Sequence, residues 1–388
     1  MKKLRVLKIL ASLMTIVAIL MMADDVRAQS ASTAPIDNSP RPSKKDYSAT
    51  WSTDLEAEQS QDSLSNQLSQ VELGLTMTLD MQFSPWMSLN LTPKVVAQNG
   101  FIQTPDLVNP DGSRIDIVNA SLDFKPSNYF QPSLGSLYQR TFHADIFMSK
   151  RSFPALRLLS QVGSEKDSHF YAFAESAIPT SSSLSNNNQD LGSTPSLNTA
   201  GVGFQLGSEQ KKYLVTGFFN TYQYAGLSQD LATASVLLGN SGISTSGANY
   251  DFQFGYQGYE ANIDAQFRLL RSTSIDLYAS ALENTLAPSG QNLGWDAGGS
   301  VKYDFSKTLQ LEPRFDYYHI EADSTVAVYN DPMMSTNREG YRTQMKFYYN
   351  HKVHLNVSYG QRVPIMANPA QPSETWYGLG LETENAKF

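Results

Sequence analysis

From about Asp46 the chain alternates apolar and polar residues with a period of two almost without a break. Val71, Leu73, Leu75, Met77, Leu79, Met81 and Phe83 share one face, and Glu72, Gly74, Thr76, Thr78, Asp80 and Gln82 share the other. Tyr259, Ala261, Ile263, Ala265 and Phe267 alternate with Glu260, Asn262, Asp264, Gln266 and Arg268. The same holds for Trp295 to Phe305, Tyr341 to Asn350 and Val353 to Gly360. Successive side chains of a strand point to opposite faces, so each segment reads as a strand with one apolar and one wet side.

The connections between these strands alternate in length. Short turns fall near Ser84-Pro85, Pro126 to Asn128, Ser164 to Lys166, Ser208 to Gln210, Arg271-Ser272, Ser306-Lys307 and Asn350-His351. Longer polar connections fall near 98–113, 140–153, 178–196, 224–249, 283–292, 322–338 and 364–374. A first strand at Tyr47 to Leu55, followed by a polar loop from Glu56 to Ser69, brings the expected total to about sixteen. Residues 251–258 break the phase, and Gly258 there marks either a bulge or a hairpin. Sorting short turns to one end and long loops to the other is the habit of a membrane-spanning barrel with an even strand number. The fold class read from the pattern is all-β, a transmembrane antiparallel β-barrel over 46–388.

Charge supports that reading. The polar faces carry Lys94, Glu260, Asp264, Arg268, Asp296, Lys302, Arg314, Asp316, Arg342 and Lys346. Unpaired charges are costly inside a packed sandwich but cost little against water. A closed sheet also satisfies its own backbone groups and can sit in hydrocarbon. About sixteen strands leave an aqueous lumen, whereas eight are filled by side chains. Trp51, Trp86, Tyr138, Tyr303, Phe305, Tyr359, Trp376 and Tyr377 are placed as interfacial girdles. The mean hydropathy of −0.34 agrees, since every second strand residue faces water.

The N-terminus reads as an export signal over 1–28. Lys2, Lys3, Arg5 and Lys8 precede an apolar run from Ile9 to Ala23, and Val26-Arg27-Ala28 offers a cleavage site. The run is too short to span a bilayer. Residues 29–45 read as a flexible periplasmic segment. The leader holds five basic and two acidic residues, so its removal takes the net charge from −8 to −11. That balance argues against nucleic acid as a partner. The chain has no cysteine, so no disulfide supports it.

Three phrases carry a family resemblance. Phe388 after a strand with Tyr377, Leu379 and Leu381 resembles the C-terminal signal of bacterial outer-membrane proteins. Val301 to Thr308 (VKYDFSKT) resembles a strand–turn phrase of porins, and Leu122 to Ser127 (LDFKPS) looks like a strand end of phosphate-selective and related porins. The resemblance implies an outer-membrane channel for passive diffusion of small hydrophilic solutes or ions, seated in outer-membrane lipid, without cofactor, and trimeric as is common in the family. It also implies that the third long loop folds into the lumen. That loop supplies Arg140, His143, Asp145, Lys150 and Arg151, with Arg157 on the following strand. Facing charges at a constriction set ion preference. Arg268, Lys302, Arg314, Arg342 and Lys346 loosely match the family's basic ladder, while Asp264, Asp296 and Asp316 on the same faces count against anion selectivity.

Two other classes compete. A barrel hydrolase needs a serine and a histidine on neighbouring strands, and His143, His169, His319, His351 and His354 sit in no nucleophile pattern. The chain is therefore read as non-enzymatic. His351 and His354 point to opposite sides of a strand, which disfavours a metal site. Asn109 to Gly112, Asn187-Asn188 and Asp190 read as turn chemistry. An adhesin or structural role would use the Ser/Asn-rich loops 178–196 and 224–249, which lack aromatic density.

Overall fold

The computed structural model describes residues 47–63, 67–102, 112–164, 168–179, 194–208, 212–246, 249–331, 334–350, 353–383 and 386–387. The expected leader, the 29–45 segment, Asn187, Asn188, Asp190, His351 and Phe388 lie outside them. So do Asn109, Pro110 and Asp111.

The strands are β1 (Tyr47–Asp62), β2 (Gln67–Ser84), β3 (Met87–Ile102), β4 (Gly112–Phe124), β5 (Phe130–Tyr138), β6 (Ser152–Ser164), β7 (Ser168–Ala177), β8 (Ser196–Gly207), β9 (Tyr213–Ala225), β10 (Gly242–Ser246), β11 (Asn249–Phe252), β12 (Gln257–Leu270), β13 (Thr273–Asn284), β14 (Leu293–Asp304), β15 (Leu309–Ile320), β16 (Arg338–Tyr349), β17 (Val353–Pro364), β18 (Glu374–Thr383) and β19 (Ala386–Lys387). Each barrel strand pairs antiparallel with its sequence neighbour, and β12 follows β9 directly. The sheet closes where β1 meets β18, in register from Asp54↔Glu382 to Asp62↔Glu374, and β19 continues that edge. The result is a closed 16-strand antiparallel barrel.

Register explains why the alternation matters. Leu73, Leu55, Leu381, Leu355 and Phe347 lie on one rung across five strands. All face outward and are exposed, Leu73 at 52% and Leu381 at 43%. One residue along, Glu56, Gly380, Asn356 and Lys346 share the next rung and face the lumen. Val95, Leu134, Val202, Phe219, Val301, Phe315 and Leu379 extend the exposed apolar outer surface. A contiguous apolar surface of this extent is far beyond what a soluble monomer shows, and it matches a lipid-facing band.

The structure corrects the expectation at four points. Residues 56–69 are not a loop: β1 and β2 stay paired from Leu55↔Leu73 to Gln61↔Gln67. Backbone pairing needs no large apolar side chain, and here β1 places only Ala57, Gln59 and Gln61 on its outward face, opposite Leu379, Tyr377 and Thr375 of β18. Trp376 does not join the girdle. It is adjacent to outward Tyr377 on a strand, so it points inward, and it is 5% exposed. Residues 251–258 contain neither a bulge nor a barrel hairpin. Asn249–Phe252 pairs with β10 in a separate two-stranded hairpin, and the barrel resumes at Gln257. The 224–249 connection also holds a helix, α1 (Gln229–Leu237), whose Ser228 side chain accepts the Leu231 amide at 3.3 Å as an N-cap.

Candidate functional site: a folded loop and a charged cavity

The third long loop, Gln139 to Arg151 (L3), leaves the β5–β6 edge and docks on the inner face of β7, β9 and β12. The inward face of β9 presents Phe218, Asn220, Tyr222 and Tyr224, while Phe219 faces outward. Phe147 of L3 packs against Tyr222 at 4.6 Å between centroids and Tyr224 at 6.0 Å. Ile146, Phe147 and Met148 are completely buried. The polar anchors come from neighbouring strands. Asn220 donates to the Phe142 carbonyl, and Glu260 on β12 accepts the Ala144 amide. The other Glu260 oxygen lies 2.7 Å from His143 Nδ1. Phe142 stacks on Phe173 at 4.1 Å, and the Arg157 guanidinium lies over the Phe142 ring at 4.6 Å while pairing with Glu175 at 2.5 Å.

The long loop after β15, residues 321–337 (L7), closes over the same region. Ser149 donates its amide to the Tyr329 carbonyl at 2.8 Å. Asn240, just beyond α1, donates to the carbonyls of Ala322 and Thr325 at 2.6 and 2.8 Å. Glu321 accepts the amides of Asn292 and Leu293, both at 2.9 Å. Burial opposes its ionisation, but His319 and these amides outweigh it and hold the carboxyl below the usual glutamate range. L3, L7 and α1 therefore form one packed insert rather than separate flexible loops.

Beside this insert lies a cavity of about 890 Å³. Eight carboxylates and five cationic side chains line it. Of the residues singled out in the sequence, it gathers Arg140, His143, Asp145, Lys150, Arg314, Arg342 and Lys346. The other four are elsewhere. Arg151 lies over the Tyr329 ring at 5.9 Å, on the L7 side. Arg157 borders a cavity of about 310 Å³ with Asn119, Ser121 and Asp123. Arg268 and Lys302 line a cavity of about 440 Å³ with Arg271 and Asp304, at the short-turn end.

All three arginines in the main cavity are already paired within the wall. Arg314 and Arg342 both reach Asp316, each at 2.8 Å, and Tyr278 donates to the same carboxylate. Arg140 pairs with Asp145, Lys94 with Asp54 at 3.0 Å, and His354 with Glu382 at 2.9 Å. The row of arginines expected to act as a ladder is thus largely neutralised where it stands.

Sequence reasoning missed Glu260, Asn220 and the inward aromatics of β9 as the seat of L3. The signal was present: in Phe218-Phe219-Asn220-Thr221-Tyr222-Gln223-Tyr224 the large rings outnumber what one lipid-facing side would need. It also missed Trp376, whose indole lies across Gly360 so closely that a Cβ there would fall 2.5 Å from the ring.

No protein-family model and no curated protein matches the sequence. Solved structures do match. OprB of Pseudomonas putida aligns with a TM-score of 0.54 at 10% identity over 88% of this chain and 94% of that one. The outer membrane channel DcaP of Acinetobacter baumannii aligns at 0.51 and 12% identity over 89% and 97%. A loop-deletion mutant of OmpT, an outer membrane protein of Vibrio cholerae, aligns at 0.51 and 11% identity over 87% and 99%. At such identities the likeness is one of fold: this chain shares the barrel architecture of bacterial outer-membrane proteins.

Proposed function

We propose that the chain is exported and inserted in a bacterial outer membrane, where it forms a water-filled channel for passive diffusion of small hydrophilic solutes and ions. One observation carries this reading. The rung through Leu73, Leu55, Leu381, Leu355 and Phe347 looks out, while the next, with Glu56, Asn356 and Lys346, looks in on a cavity wide enough to hold water. The architecture shared with an outer membrane channel supports it. Among the described residues, His143, His319 and His354 each bond a glutamate rather than a serine, which favours a channel over a hydrolase. Purified protein reconstituted in planar bilayers should give discrete steps of ionic conductance; a folded, inserted barrel without conductance would overturn the proposal.

The cavity's excess of carboxylates predicts preference for cations over anions. Lys150, with no carboxylate of the described residues within ion-pair distance, opposes that preference. Lys150→Glu is expected to move the zero-current potential in a KCl gradient further toward the cation value. An unchanged potential would remove Lys150 from the ion path.

A further inference from the structure

Two charges of opposite sign stand unpaired on one inner rung. The rung runs Glu56 on β1, Gly380 on β18, Asn356 on β17 and Lys346 on β16. All but the central glycine carry polar side chains, and all four line the 890 Å³ cavity. Neither Glu56 nor Lys346 has an ion-pair partner among the described residues. This sets them apart in a cavity whose arginines are held by Asp316 and Asp145. Lys150 reaches toward the rung from L3 and is the foremost charged neighbour of Glu56.

The floor between the two charges is low and polar. Gly380 leaves open space: a Cβ added there would meet nothing nearer than 3.7 Å. Asn356 Oδ1 is shielded from water and has no hydrogen-bond partner among the described residues. Three strand spacings of about 4.8 Å separate the Cα atoms of Glu56 and Lys346 by about 14 Å. Both side chains stand off the wall into the lumen, with room for a small solute between them.

We propose, building on the channel reading, that this rung is a solute-selecting subsite for small zwitterions, molecules with an ammonium and a carboxylate on a short skeleton. The ammonium sits at Glu56, over the open floor left by Gly380. The carboxylate sits toward Lys346 and Lys150. A solute with one charge satisfies only one end and leaves the other facing a like charge or nothing. A neutral polyol gains neither contact.

The test is uptake of radiolabelled serine, glycerate, ethanolammonium and erythritol by proteoliposomes holding the full-length protein. Serine is expected to enter fastest of the four. Glu56→Gln and Lys346→Gln are each expected to lower the serine-to-erythritol ratio several-fold. Gly380→Leu, which fills the floor beside Glu56 and Asn356 while keeping both charges, should do the same. A ratio unmoved in both charge variants would overturn the subsite. Absence of erythritol uptake and of conductance in the unaltered protein would instead overturn the channel itself, so the two failures are distinct. Circular dichroism of each variant establishes that the barrel has formed.

Discussion

Glu260→Leu is expected to raise the single-channel conductance several-fold and make it noisy. Glu260 is completely buried and holds L3 at two points, the Ala144 amide and His143. Its removal leaves both donors buried with no acceptor, and breaking one side of a buried charged pair costs about 3–5 kcal/mol. The barrel itself rests on its closed ladder of paired strands and does not depend on this anchor. The loss therefore falls on the docking of L3, and a cost of that size is enough to release most molecules from the docked state. L3 and the Phe147 group then leave the β9 wall and the lumen widens. Glu260→Gln separates the contributions, since it keeps an acceptor for the Ala144 amide and should open the channel far less. If Glu260→Leu conducts as the unaltered protein does, L3 is not what narrows the lumen.

Leu379→Arg is expected to destabilise the barrel in lipid by about 2–4 kcal/mol, the range for an arginine on the lipid face near the bilayer midplane. Leu379 lies in the middle of β18, pairs with outward Val357 and is 51% exposed in the absence of lipid. Gln161→Arg on the inner wall of β6 borders the aqueous cavity, and surface changes of that kind stay within about 0.5 kcal/mol. Reversible urea unfolding from liposomes measures both. Equal costs at the two positions would mean that the outer face does not meet hydrocarbon.

The fold was legible because the membrane imposes a strict rule: each strand must keep its apolar side out over its whole crossing. That rule is local, so Val71 to Phe83 or Tyr341 to Tyr349 reveals its orientation without any knowledge of partners. It fails where one strand leaves large apolar side chains to its neighbours. Residues 57, 59 and 61 face outward opposite Leu379, Tyr377 and Thr375 but are Ala, Gln and Gln, so nothing in EAEQSQD distinguishes a paired strand from a loop. Asn249–Phe252 alternates like a barrel strand yet pairs only with β10.

The site was less legible, for a different reason. L3 announces itself by position and charge, but its docking depends on partners 117 residues away in sequence, as in His143 with Glu260. In the sequence Glu260 is one more polar residue on a wet strand face. The pairing of Arg314 and Arg342 with one Asp316 is equally silent, because it needs the register of β15 against β16. Hence the arginines read as a ladder of free charges, whereas the placing of Glu56 and Lys346 on one rung, without ion pairs, needs the register of β1, β18, β17 and β16.

The central claim is that the two sides of each strand meet different solvents, and the lack of any cysteine makes it directly testable. Single cysteines at Thr343, Gln344, Met345 and Lys346, four consecutive positions of β16, are treated with a small membrane-impermeant thiol reagent in liposomes. The account predicts rapid modification at 344 and 346 and protection at 343 and 345. Modification in the opposite phase, or equally at all four, would contradict it.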